Sequence, residues 1–182
     1  LLGDVLVDQG NVAAALDAFA RALALEPSDD VAARRAAAQA RLDAAAMPAQ
    51  YRAIPDAAQV TRADLAALIG VRLAGLVSAA PVVDVGVLTD VRAHWAERWI
   101  SPVARAGLLE ALPNHQFQPR GVVRRVDLAM AIGRLLAHVE AASPSSAHAW
   151  NQARVRFQDL DAGHIAYAAA SAAVAAGAMA AP

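Results

Sequence analysis

The chain has 182 residues, long enough for one or two small cores but with only 4% aromatics, too few to face a β-sandwich. Its net charge of −1 provides no long-range field to gather nucleic acid or an anionic membrane. With no cysteine, disulfides and thiolate metal sites are excluded; an apolar fraction of 58%, rich in alanine, predicts close-packed helices nearly everywhere.

The chain opens at Leu1 without Met, inside what looks like a repeat. We therefore expect a piece of a longer protein whose export signal lies outside it. Residues 1–27 read LLGDVLVDQGNVAAALDAFARALALEP. Small residues (Gly3, Ala15, Ala22) would let two helices approach, with Leu6, Phe19 and Leu23 filling the seam. Gly10-Asn11 makes the turn, and Pro27 stops the second helix because proline cannot continue it. This spacing resembles a tetratricopeptide repeat (TPR). Ser28-Asp29-Asp30 offers N-caps for a third helix from Val31 to about Ala45, suited to closing a TPR stack. One such unit cannot bury its own face.

Met47-Pro48 is expected to break the chain, with an irregular link at 49–55. Val60-Thr61-Arg62-Ala63-Asp64-Leu65 then starts another helix, in which Thr61 and Asp64 make a capping-box spacing. Leu65, Leu68, Ile69 and Leu73 continue it at helical period. A linker with an extended look near Val82–Val87 leads into Asp90-Val91, His94-Trp95-Ala96, Ile100, Gly107, Phe117-x-Pro119 and the Val123–Leu128 string. Trp95, Trp99 and Val103 form an i, i+4, i+8 stripe suited to a buried seam, although Pro102 is expected to kink or divide that helix. Gly107 can end it, and Pro113-Asn114-His115 carries a turn. In the next helix Leu128, Ile132, Leu135 and Val139 share a face. Arg124, standing where Thr61 stands in the earlier copy, deprives that helix of a side-chain N-cap. After a Ser/Pro/Ala linker at 140–153, Phe157-Gln158-Asp159-Leu160 and His164-Ile165 restart the pattern, with a helix over Ala166–Gly177.

Residues 88–136 closely resemble an S-layer homology (SLH) motif: seven features fall in order over about fifty residues. The fold class expected is therefore all-α, a TPR helix-turn-helix unit with its capping helix followed by an SLH-like helical domain. The domains are placed at 1–46 and 47–182, the latter as a half motif (47–76), a full motif (88–139) and a half motif (155–182). This is a degenerate form of the pseudo-threefold set of helix pairs the resemblance implies.

For chemistry, the five histidines (His94, His115, His138, His148, His164) lack metal-ligand spacing. No phosphate loop or nucleophile elbow occurs, and Asp159 is read as a helix cap. No enzyme activity, cofactor or metal is expected. No stretch of about 18 strongly apolar residues spans a membrane; the 166–182 tail is mostly Ala and Gly.

The SLH resemblance implies a bacterial cell-envelope or extracellular location. It also implies that Arg62 and Arg125, with Asp64 and Asp127 beside them and Trp95 or Trp99 to stack on a sugar ring, bind a negatively charged cell-wall glycan such as a peptidoglycan-linked polymer. Arg62, Arg120, Arg124 and Arg125 lie at or near helix N-termini, which favour anions. Two other readings stand beside this one: the arginines pair with Asp64, Asp127 or carbonyls, and the tryptophans are core. Arg124-Arg125-Val126-Asp127 departs from the family string in lacking its Thr and Ala. The TPR resemblance implies a protein partner. A non-enzymatic envelope scaffold follows; the alternative is a structural subunit of a surface assembly or filament, self-assembly included.

Overall fold

A computed structural model describes residues 2–143, 150 and 152–180. His148 and most of the Ser/Pro/Ala linker lie outside the described residues. The protein is all-helical, and the described residues include a single isolated bridge, Thr61 with Val122, in place of any strand. The chain divides into two compact units, Leu1–Pro55 and Asp56–Pro182.

In the first unit, α1 (Leu2–Asp8), α2 (Val12–Leu25) and α3 (Asp29–Ala46) follow the expected helix-turn-helix and third helix. Asn11 caps α2 through Ala14 N, and Ser28 caps α3 through Val31 N. Gly3 is where α1 meets α2: a Cβ there would stand 2.5 Å from the Phe19 ring. Ala15, Phe19, Val31 and Ala38 form the core, flanked by Leu6, Val12, Leu16, Ala22 and Leu23. Arg34 ties α3 back to α1 through Asp4 at 3.1 Å, and along its own helix to Asp30 at 2.9 Å.

The 49–55 link is not irregular. α4 (Ala49–Arg52) and a 3-10 turn (Ile54–Asp56) fill it, with Tyr51 and Ile54 buried. Pro48 stops α3's continuation but, having an extended ψ of 150°, suits a helix start immediately after it. The unit boundary falls within this turn, between Pro55 and Asp56, whereas the sequence places it at 46/47.

The second unit contains α5 (Arg62–Arg72), α6 (Ala74–Ala79), α7 (Glu97–Arg105), α8 (Arg125–Ala142) and α9 (Tyr167–Ala175). Pro102 does not divide α7, which runs through it as one helix. The lost bond would have gone to Arg98 O, in the first turn of this nine-residue helix, and Arg98 is exposed. The expected Trp95/Trp99/Val103 stripe is replaced by Ala96, Ile100, Val103 and Ala104, all buried, while Trp95 and Trp99 are partly exposed. The reason is the helix start: α7 begins at Glu97, so Trp95 precedes it.

α5 packs on α7 and α8 packs on α9, and these two pairs repeat one another. Gly70 meets Trp99, a Cβ there lying 2.7 Å from Trp99 Cδ1; Gly133, its counterpart, meets Ala169 at 2.8 Å. α7 and α9 each follow a turn in which a histidine Nδ1 accepts an N–H: Ala96 N to His94 at 3.2 Å, Ala166 N to His164 at 3.1 Å. Both end identically. Gly107 and Gly177 adopt φ of 69° and 71°, a conformation that suits glycine. The last carbonyls are then closed by Gly107 N to Ala104 O and Leu108 N to Val103 O, and by Gly177 N to Val174 O and Ala178 N to Ala173 O. Ala129 and Ala131 are the buried residues of α8, whereas the expected Leu128/Ile132/Leu135/Val139 face is only half-buried.

Candidate functional site

The six residues singled out from the sequence fall into two places. Four of them are occupied in holding the fold. Thr61 N donates to Asp64 Oδ2 at 2.8 Å, and Asp64 N to Thr61 Oγ1 at 3.2 Å, which closes a capping box on α5. On α8 the carboxylate half of that arrangement survives: Arg124 N reaches Asp127 Oδ2 at 3.0 Å. Arginine has no acceptor to return the bond, so its guanidinium instead grips Asp127 at 2.9 and 3.0 Å. These bonds hold the Asp127 carboxyl below the ordinary carboxylate range.

Arg62 is engaged by backbone. Its Nε donates to Phe117 O at 2.8 Å and its Nη2 to Glu110 O at 2.5 Å, while the guanidinium lies 4.7 Å over the Phe117 ring. Burial lowers its pKa from the usual arginine value, against the pull of Asp127 and Glu110. Arg125 repeats the pattern, donating to Ala180 O, the residue 70 places after Glu110. The α5 N-terminus is also filled: Arg62 N and Ala63 N donate to Gly121 O and Pro119 O at 2.8 and 3.0 Å. No anion is needed to satisfy those groups.

The turn that receives all this, residues 117–121, is fixed from the other side by Asp90, whose oxygens accept Phe117 N at 2.8 Å and Gln118 N at 2.7 Å. Around it Ala93, His115 and Gln118 take positive φ of 60°, 59° and 56°. Asp90, Arg92, His94, Gln118 and Arg120 line a cleft of about 510 Å³ there. Burial, then Arg120, depresses the His94 pKa, in keeping with a neutral Nδ1 that accepts from Ala96. The left-handed conformation costs an L-residue about 1–2 kcal/mol, partly offset for glycine by its freer unfolded chain. Ala93→Gly is accordingly expected to stabilise the protein by about 0.5 kcal/mol, read as a higher urea midpoint at unchanged slope.

Trp99 belongs elsewhere, in an open groove of about 470 Å³ between α5–α6 and α7. Gly70, Ala74, Ser78, Arg98, Ser101 and Arg105 lie along it, and the Arg98 guanidinium stacks 3.9 Å over the Trp99 ring. Trp95 touches Trp99 edge to face, with centroids 5.9 Å apart. The second helix pair carries a matching groove of about 280 Å³ lined by Gly133, Ala137, Trp150, Arg154, Ala169 and Ala172. There Ala169 has taken the place of Trp99, and the aromatic ring comes from the linker instead. An aromatic face with cations and hydroxyls can stack on the apolar side of a sugar and pair with an acidic substituent.

Arg98, Arg105, Trp150 and Arg154 escaped the sequence reading. Trp150, the lone aromatic of a Ser/Pro/Ala linker, was the available signal. The structure brings Trp95 and Trp99 together but does not bring Arg62, Arg125, Asp64 or Asp127 to their groove. Among the described residues no group of three or more His, Asp or Glu could hold a metal ion, and no helix is long and apolar enough to cross a membrane. No protein-family model, curated protein or solved structure matches the chain.

Proposed function

We propose that this protein is a non-enzymatic scaffold of the bacterial cell envelope or surface. Its second, SLH-like unit attaches to an acidic cell-wall glycan, and its first, TPR-like unit holds a protein partner. The observation that carries this reading is the repeated groove: a tryptophan borders a floor of small residues in both helix pairs, with Arg98 and Arg105 beside it in the first and Arg154, next to Glu140, in the second. Two weak sugar sites on one rigid unit act together on a polymer, because binding at the first raises the local concentration at the second. Arg62 and Arg125 support the glycan indirectly, as struts of the unit that presents the grooves.

Pelleting with purified cell-wall sacculi at low and high salt tests this. Arg98 and Arg105 have exposed side chains, so the Arg98→Ala/Arg105→Ala double variant is expected to keep the helical circular-dichroism signal. It should bind at least about tenfold more weakly, since a charge-assisted pair contributes ~1.5 kcal/mol or more. Pelleting that ignores salt and both substitutions would remove these grooves from the account. Absence of pelleting, with an oligomer in light scattering, would favour the assembly-subunit reading. The exposed Leu2, Val5 and Leu25 of the first unit favour protein contact under either outcome.

A further inference from the structure

The cleft of about 510 Å³ at the 117–121 turn takes Asp90, Arg92 and His94 from the loop ahead of α7, and Gln118 and Arg120 from the turn itself. It has the size of a small-molecule site. Asp90 is already spent, because its two oxygens accept Phe117 N at 2.8 Å and Gln118 N at 2.7 Å. The other charged side chains of the cleft are cations. Arg92 and Arg120 are both exposed, and among the described residues neither makes a hydrogen bond or an ion pair. His94 Nδ1 accepts Ala96 N at 3.2 Å, and burial, then Arg120, lowers the pKa of the ring. The neutral ring therefore carries its proton on Nε2, a third donor.

The internal repeat shows that the two arginines are not needed to build these turns. α9 begins after the same histidine turn, Ala166 N to His164 Nδ1 at 3.1 Å, yet Ala162 stands where Arg92 does. Ala57 precedes Thr61 as Arg120 precedes Arg124. Two cations on one cleft repel each other, and a bound anion relieves that repulsion. We infer that Arg92, His94 and Arg120 form a binding site for a phosphate dianion, free or as the monoester of a small organic molecule. A carboxylate is satisfied by one bidentate arginine, whereas three separate donors with two permanent charges match a tetrahedral oxyanion of charge near −2. The rest of the cleft, beside Gln118, holds the organic group. This site lies apart from the Trp99 and Trp150 grooves and does not rest on the glycan reading.

The probes are inorganic phosphate, glucose 1-phosphate and acetate, titrated calorimetrically into the intact protein at constant ionic strength, which holds screening fixed. Saturable binding of both phosphates is expected, with a dissociation constant below about 1 mM, and none of acetate. The tighter of the two phosphates identifies the source, free anion or ester. Arg92→Gln and Arg120→Gln should each weaken binding at least about tenfold, the loss of a charge-assisted pair. Both side chains are exposed, so the helical circular-dichroism signal should persist. Arg72→Gln, the same change of charge at an exposed residue outside the cleft, should leave binding as it was. His94→Ala removes the acceptor of Ala96 N and can disturb the start of α7, so the arginine variants decide the matter. An absence of saturable phosphate binding, acetate binding as tight as phosphate, or equal losses in Arg72→Gln and Arg92→Gln each overturn the site. The Arg98→Ala/Arg105→Ala variant should bind phosphate normally even where sacculus pelleting is lost, so the two proposals fail separately.

Discussion

Arg62→Met is expected to lower the stability of the second unit by about 3 kcal/mol, the largest effect of any exposed or half-exposed substitution in it. The guanidinium serves two carbonyls, Phe117 O and Glu110 O, from residues 55 and 48 places away. Hydrogen bonds from a charged donor contribute about 1.5–3 kcal/mol each. Water can replace the one at the exposed Glu110 carbonyl more readily than the one at Phe117, which places the total near the lower end. Methionine keeps most of the stem that packs beneath, so the loss reports the bonds rather than a cavity. Urea unfolding at unchanged slope reads it; a loss under 1 kcal/mol would mean that solvent substitutes for both bonds. Arg125→Met, which forfeits one bond at an exposed site, should cost about 1 kcal/mol. A glycan-attachment defect in Arg62 variants therefore reports folding unless the helical signal is shown to persist.

Gly133→Ala is the second large effect, and its sign runs against local preference. In a helix interior alanine is favoured over glycine by about 1 kcal/mol. Here the new methyl would stand 2.8 Å from Ala169 Cβ and 3.3 Å from its Cα, and a backbone atom cannot swing aside. Overpacking of this kind costs about 1–3 kcal/mol, and the crossing of α8 on α9 must widen to relieve it. A net loss of about 2 kcal/mol is expected by urea or thermal unfolding. Ala169→Gly in the same chain should restore about half or more, because it removes the nearer of the two atoms. A pair of substitutions that simply added would show that α8 and α9 shift freely. Gly70→Ala provides the contrast, since Trp99 Cδ1 at 2.7 Å belongs to a side chain with room to turn toward the groove.

Much of this architecture is legible in the sequence because it is local. Ser28 and Thr61 announce helix starts through N–H groups three residues on, Gly10-Asn11 and Gly107 announce turns, and Gly3 opposite Phe19 announces a close approach. The residues that failed to declare themselves act over long separations. Asp90 is only the first residue of the Asp90-Val91 string until its partners 27 and 28 residues away are seen. For Arg62 the sequence leaves an anion site and carbonyl pairing equally open, because its two carbonyls lie 55 and 48 residues away. Trp99 and Trp150 reach equivalent grooves from non-equivalent positions, which no alignment of one repeat on the other would reveal. Pro102 leaves α7 undivided for a local reason: in a helix of only nine residues the missing bond falls on the first turn.

The Thr61–Val122 bridge has a consequence for how the chain is made. Loop closure over about 60 residues costs roughly 3.6 kcal/mol of chain entropy, and α5 recovers it only when residues 117–122 arrive to cap its first turn. At ~5–20 residues per second, the ribosome needs about 3–12 seconds to deliver them. Until α7 follows, Leu65 and Ile69, buried in the finished unit, belong to a nascent helix without the main helix it packs on. The first unit, whose core joins neighbouring helices only, has no such wait and can be complete while the second is still being written.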